Sequence, residues 1–424
     1  MRLKGALIGA LIALAVPAAP ASGAVGVDGT CSLALTRLDP TTTNVLALDT
    51  NAVYWLAGYA AVPGSRIRIE GQFPHARYIG FNVYDAAGRP VDAIADEQIQ
   101  ADSGSSNPFL AGADRFAPDR DYTVFVEFGP RPANPAPNTV YTGESPGGTV
   151  WYRVYIPDGG RDAKGGVSLP RLTYDSGLDL GLALPGLDPC RELQAPYVEG
   201  VNEMIATAPG LPETSDDGAG YPGRNPPDWR LFRNLGQAAG EILLNNETGG
   251  SFYEPAQQFQ NDGPGFFANR DIAYVFAPTS RGFGEVLVIR GRAPSFADTR
   301  EGPATMPGGQ QLRYWSFCQY EPATQRVIDC RSDDRIEVSA DGTYTVVVST
   351  AEQRPSCAPN WIAWGPTTQG LLIYRHMLPD PGFANAIQNV PEPGLEREGL
   401  GEYYPSAEYL RDRAAYEALH CASP

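Results

Sequence analysis

The chain predicts a mainly β protein, a tandem repeat of two β-sandwich (jelly-roll-like) domains with a helical linker and a C-terminal helix. Three observations carry this. First, GSRIRIEGQFP at Gly64 to Pro74 returns as GEVLVIRGRAP at Gly284 to Pro294, with Gly64, Ile69, Gly71 and Pro74 matched at an offset of 220. DYTVFVE at Asp121 returns within GTYTVVVS at Gly342, and WYRVYIPD ending at Asp158 returns as IYRHMLPD ending at Asp380, both at 222. Three blocks in one order mark a duplicated structural unit. Second, Ile79, Phe81 and Val83 alternate with Tyr78, Gly80, Asn82 and Tyr84, and Trp315, Phe317 and Gln319 alternate with Tyr314, Ser316, Cys318 and Tyr320. That period of two puts one set on a core face. Third, 47 glycines and 39 prolines punctuate short strand signals, as sandwich turns require.

In chain order, residues 1–24 read as a secretory signal: Arg2 and Lys4, an apolar run from Leu7 to Val16, then small residues at Ala19, Ala21 and Ala24. The run is shorter than the roughly 20 residues of a membrane span, and no later segment resembles one. A secreted or periplasmic location follows. Residues 25–190 hold the first sandwich. Residues 191–262 form a linker in which Trp229, Phe232, Leu235, Ala239 and Ile242 share one face of a helix. Residues 263–386 hold the second sandwich, and 387–424 a tail in which Pro405 and Ser406 open a helix running to His420. Tyr403 and Tyr404 in that tail are expected at the surface.

The net charge is −17, and loss of Arg2 and Lys4 with the signal makes it −19. So acidic a surface repels nucleic acid and anionic lipid. Six cysteines in an exported chain suggest three disulfides. Cys318 and Cys330 face each other across a hairpin, at positions held by Asn82 and Ala93 in the first copy. Cys357 with Cys421 would pin the tail, and Cys31 with Cys190 would close the first half. No CxxC spacing points to zinc or thiol redox chemistry.

Residues found in both copies serve the shared fold, whereas a single site uses residues unique to one copy or at the junction. The shared polar set is Arg77 and Arg313, Asp92 and Asp329, Asp96 and Asp333, Arg153 and Arg375, Asp158 and Asp380. An arginine recurring with hairpin aspartates suggests an ion pair within each sandwich. The other reading is a pair of anion or sugar sites, with Arg77, Arg153, Tyr78 and Tyr84 facing the ligand. Of the three histidines, His75, His376 and His420, none recurs. His75 in the PHAR turn is the candidate acid or base, with Asp96 and Asp92 as catalytic carboxylates. Those carboxylate clusters also offer hard oxygen ligands for a structural calcium, without a continuous EF-hand loop; no other cofactor is expected. GESPG at Gly143 to Gly147 matches G-x-S-x-G, but Ser145 is followed by a strand signal where a nucleophile elbow needs a helix.

The run YWLAGYAAVPGSRIRIEGQFPHARYIGFNVYD, followed by DAIADEQIQADSGSSNPF, resembles exported bacterial proteins carrying the domain of unknown function 1214. The likeness is strongest over Asn51 to Asp158 and recurs over Asp271 to Asp380. It implies a β-sandwich and an exported location, and supplies no catalytic residue. Three functions stay open: binding of an extracellular or cell-envelope ligand, carbohydrate in class; a secreted hydrolase or lyase acting through carboxylates on a polysaccharide or small substrate; and a structural envelope protein. The sequence carries no signal of oligomeric state.

Overall fold

The computed structural model describes residues 31–33, 35–41, 44, 46–61, 64–86, 88–176, 224–233, 267–322 and 325–421. The first copy contributes β1 (Cys31–Leu33), β2 (Thr36–Leu38), β3 (Ala52–Ala60), β4 (Ser65–Gln72), β5 (Ala76–Asp85), β6 (Pro90–Ala95), β7 (Asp121–Glu127), β8 (Thr139–Tyr141), β9 (Gly147–Pro157) and β10 (Arg171–Ser176). The second contributes β11 (Arg230–Leu231), β12 (Ile272–Ser280), β13 (Val286–Arg292), β14 (Leu312–Tyr320), β15 (Val327–Ser332), β16 (Thr343–Ser349), β17 (Asn360–Ala363), β18 (Gln369–Pro379) and β19 (Ser406–Leu410). Short helices α1 (Glu396–Leu400) and α2 (Arg413–His420) follow β18 and β19.

These strands form four sheets, in the orders β1-β10-β4-β7-β8, β2-β3-β9-β5-β6, β11-β12-β18-β14-β15 and β17-β16-β13-β19. The two middle orders correspond strand for strand between the copies. Outer strands follow the half-buried rule: in β4, Ile67 and Ile69 enter the core while Arg66 and Arg68 alternate outward. The central strands do not. β5 is buried at all ten positions and β14 at all nine, because both faces of the inner sheets are covered. One face of β5 sends Ile79, Phe81 and Val83 into the first core; the other sends Tyr78 and Tyr84 into an aromatic layer shared with Tyr314, Ile272 and Met377 of the second copy. Four sheets therefore stack with three apolar layers between them.

The repeated glycine of the G-x-x-x-x-I-x-G-x-x-P block has a packing cause. A Cβ at Gly71 would lie 2.6 Å from the Tyr122 hydroxyl, and one at Gly291 would lie 2.5 Å from that of Tyr344. Each tyrosine of the second repeated block thus lies across the glycine of the first.

Several expectations change. Arg230–Leu231 is a strand paired with β12, so the helical reading fails for its first residues; Leu235, Ala239 and Ile242 lie outside the described residues. Ser406–Leu410 is also a strand, filling the edge of β13, and the terminal helix starts only at Arg413, where Asp412 accepts the Ala415 N–H as its cap. The tail packs into the second sandwich, because Ile387, Val390 and Leu400 lie in its core. Tyr403 and Tyr404 join them and are buried. Disulfides join Cys318 to Cys330 and Cys357 to Cys421. Residues 1–24 and Cys190 lie outside the described residues, and so does the proposed partnership of Cys31 with Cys190. No described helix is long and apolar enough to cross a membrane.

Candidate functional site

Of the shared polar residues, Arg77 and Arg313, Asp96 and Asp333, and Arg153 and Arg375 form a joint between the sandwiches, whereas Asp92, Asp329 and Asp158 bond within their own copy. Arg77 pairs with Asp333 of the other copy, and Arg313 pairs with Asp96 at 2.9 Å, so the ion pairs cross the interface and do not close within each sandwich. Each carboxylate also accepts a backbone N–H from its own copy, Asp96 from Ile79 at 2.8 Å and Asp333 from Trp315 at 2.9 Å. Burial raises the carboxyl of Asp96 to about 6 and that of Asp333 to about 7, against the opposite pull of their arginines. The segments leading into β3 and β12 are exchanged in the same way. Arg375 donates to the Ala47 carbonyl at 2.8 Å, and Arg153 to that of Phe267 at 2.9 Å. Tyr320 donates to the Leu48 carbonyl at 2.8 Å and Tyr84 to that of Ala268 at 2.9 Å. Tyr314 donates to Asp49, as Tyr78 does to Asp271.

This joint absorbs most of the expected site. Arg77, Tyr78, Tyr84 and Arg153 are buried between the sheets, so the ligand-facing role expected of them is replaced by a structural one. The catalytic trio does not assemble. Asp96 is committed to Arg313 and Ile79, while Asp92 accepts from Arg131 at 2.6 Å and from the Tyr141 N–H at 3.0 Å. His75 contacts neither; its Nε2 lies 2.9 Å from Arg120. His376 is a core residue whose Nδ1 accepts from the Ile387 N–H. Ser145 lies in the turn before β9 and donates to the Gly147 carbonyl, with no helix behind it.

His75 belongs to a different cluster, built where the two copies differ in length. Ala101 bridges Tyr122 in the first copy as Val338 bridges Tyr344 in the second, so the first copy spans that interval with residues 102–121 and the second with 339–343. Conversely, the second copy inserts residues between Ser295 and Leu312, where the first passes directly from His75 to Ala76. The two insertions lie on each other. Arg115 N–H donates to the Ala304 carbonyl at 2.9 Å, Gly112 N–H to that of Met306 at 2.8 Å, and Met306 N–H to that of Ala113 at 3.0 Å.

Beneath this paired loop are Arg115, Arg120, His75 and Asp158, with Phe116 and Arg161 at the surface. Arg115 donates to Asp158 at 2.8 Å and to the Ala76 carbonyl at 3.0 Å. Arg120 donates to the carbonyls of Ala117 and Arg115. The loop after β9 closes against the PHAR turn, the Asp158 N–H donating to the His75 carbonyl and the His75 N–H to that of Gly165, both at 3.0 Å. Gly165 is required there: its φ is +69°, and a Cβ would sit 2.7 Å from Pro74 and 2.9 Å from the His75 carbonyl.

Charge makes the cluster distinctive in so acidic a chain. Three guanidiniums approach one another, and among the described residues Asp158 is the one carboxylate in an ion pair with any of them. Burial, reinforced by Arg120, Arg161 and Arg115, lowers the imidazole of His75 to about 4, so it is neutral at pH 7. Burial raises the carboxyl of Asp158, with Arg115 opposing it. Among the described residues, His75 Nδ1, the second terminal nitrogen of Arg115 and Asp158 Oδ2 are buried polar atoms without a partner. The sequence pointed to His75 but missed the arginines. At the 222 offset Arg120 faces Gly342 and Arg161 faces Phe383, so the absence of both from the second copy was the available signal.

No protein-family model matches the chain, and no curated protein matches it. Among solved structures it is similar to an uncharacterized protein from Burkholderia cenocepacia, at 15% identity and a TM-score of 0.48 over 88% of this chain and 81% of that one. It is also similar to a protein from Vibrio parahaemolyticus, at 11% identity and a TM-score of 0.39 over 86% of this chain and 90% of that one.

Proposed function

We propose that the protein is an exported binding protein for an anionic extracellular or cell-envelope ligand, carbohydrate in class, held at the cationic junction. The carrying observation is the group of three guanidiniums, Arg115, Arg120 and Arg161, in which Asp158 is ion-paired to Arg115 and Asp114 also attracts Arg120, in a chain whose net charge is −17. Such a group in an acidic protein attracts an anion locally while the rest of the surface repels polyanions at large. Phe116 is 49% exposed, and its ring lies 5.6 Å from that of His75, which supports stacking of a sugar face beside the charges. Export is supported by the signal-like N-terminus, by the two disulfides and by the resemblance to an exported bacterial family. A hydrolase or lyase acting through His75 with Asp92 or Asp96 is disfavoured, because both carboxylates are held elsewhere.

Thermal melts of the mature protein at low ionic strength test this reading. Short acidic oligosaccharides, galacturonate or hyaluronan in type, should raise the Tm in a concentration-dependent way, and added salt should suppress the rise. Neutral maltose oligosaccharides should leave it unchanged. A rise with the neutral sugars equal to that with the acidic ones, or no rise with any, would overturn the reading.

A further inference from the structure

Resting on the reading of the junction as an anion site, we infer that its ligand is a uronate, a sugar bearing a carboxylate beside hydroxyl groups, and not an anion without a proton to donate, such as sulfate. Two buried charged groups keep an atom without a partner among the described residues. Arg115 is 3% exposed and keeps one terminal nitrogen without a partner, a charged donor. Asp158, 5% exposed, keeps Oδ2 without a partner, a charged acceptor in the same ion pair. Leaving either unpaired costs about 1–3 kcal/mol or more, so each is a position that a bound group would satisfy.

A sulfate, which carries no proton near neutral pH, satisfies only half of this. Its oxygens accept from Arg115 and Arg161, but it offers Asp158 no proton and meets repulsion from that carboxylate. A neutral sugar fails in the other direction, since its hydroxyls suit Asp158 and leave the arginines without an anion. A uronate matches both: the carboxylate accepts from the guanidiniums, a ring hydroxyl donates to Asp158 Oδ2, and the neutral imidazole of His75, whose Nε2 accepts from Arg120, donates through Nδ1. The apolar face of the sugar then lies on Phe116.

Access is consistent with this order of contacts. The unpartnered atoms are shielded from water, whereas Phe116 and Arg161, which lie beside His75 and Asp158, are exposed. Gly302 of the second copy sits at the same place: a Cβ there would lie 3.9 Å from the Phe116 ring and 4.0 Å from Asp158 Oδ2. The second copy therefore contributes part of the wall, and the site needs both copies.

Calorimetric titration of the full mature chain with trigalacturonate, its methyl ester, maltotriose and sodium sulfate tests the inference. Trigalacturonate should bind at least 10-fold more tightly than each of the other three. Asp158→Asn should weaken trigalacturonate 10-fold or more while strengthening sulfate, because the repulsion is gone. Phe116→Ala, a change at an exposed side chain, should weaken trigalacturonate and leave sulfate unaltered, which keeps the test sound if Asp158→Asn misfolds. Sulfate binding as tightly as trigalacturonate, or Asp158→Asn strengthening both, would overturn the uronate assignment while leaving an anion site standing. Failure of every anion to bind would remove the site itself.

Discussion

Asp333→Asn tests the crossed ion pairs most severely. The side chains of Arg77 and Asp333 are both 0% exposed, and their contact joins the two copies. Arginine cannot shed its proton, so the substitution leaves a buried guanidinium without its main counter-charge. Breaking one side of a buried pair costs about 3–5 kcal/mol. The lower end applies here, because Asp298 at 3.4 Å and Asp334 at 3.9 Å retain part of the compensation. The asparagine carbonyl still accepts the Trp315 N–H, which isolates the charge. Urea unfolding at pH 8, above the carboxyl of Asp333 at about 7, should show a loss of about 3 kcal/mol. Arg77→Met combined with Asp333→Asn should recover most of it, because no orphaned charge remains and the Trp315 N–H keeps its acceptor, and the cycle should give a coupling of about 2 kcal/mol. The equivalent cycle on Arg313 and Asp96 should give a coupling of similar size. Additive single and double substitutions would refute the claim that these pairs hold the sandwiches together.

Two further predictions concern stability. His376 is 0% exposed, and burial lowers its imidazole to about 3, so the folded protein binds fewer protons there than the unfolded chain between pH 6.5 and 3. Its contribution is full above pH 6.5 and falls by about 1.4 kcal/mol per pH unit below that. His376→Gln should flatten the acid side of the Tm against pH curve, and an unchanged slope would dismiss this histidine as a source of acid sensitivity. Replacing Cys357 and Cys421 together by alanine opens a cross-link between residues 64 apart and should lower stability by up to about 4 kcal/mol, with hydrogen exchange rising first in α2 and β19. Loss confined to other strands would show that this bond does not anchor the tail.

The duplication made equivalent residues legible, but it could not say which copy a partner belongs to. Arg77 with Asp96 inside one sandwich and Arg77 with Asp333 across two produce the same repeated pattern, because swapping both partners leaves the repeat unchanged. Only the burial of β5 and β14 on both faces decides between them. The hairpin register of Cys318 and Cys330 was readable because it is local. The strand at Ser406–Leu410 was not, since a five-residue segment takes its conformation from the free edge of β13 beside it. The site was half legible: His75 stood out as unrepeated, whereas Arg115 and Arg120 lie in a loop without periodicity and acquire meaning only when the second copy's insertion folds onto it.

The duplication also sets the most direct test of the central claim. A site built from the unequal loops occurs once per chain, whereas a site built from shared residues would occur twice. Calorimetric titration with trigalacturonate should give one site per chain, lost on Arg115→Met and retained on Arg313→Met in any variant that melts cooperatively. Two sites per chain, or binding indifferent to Arg115, would contradict the account.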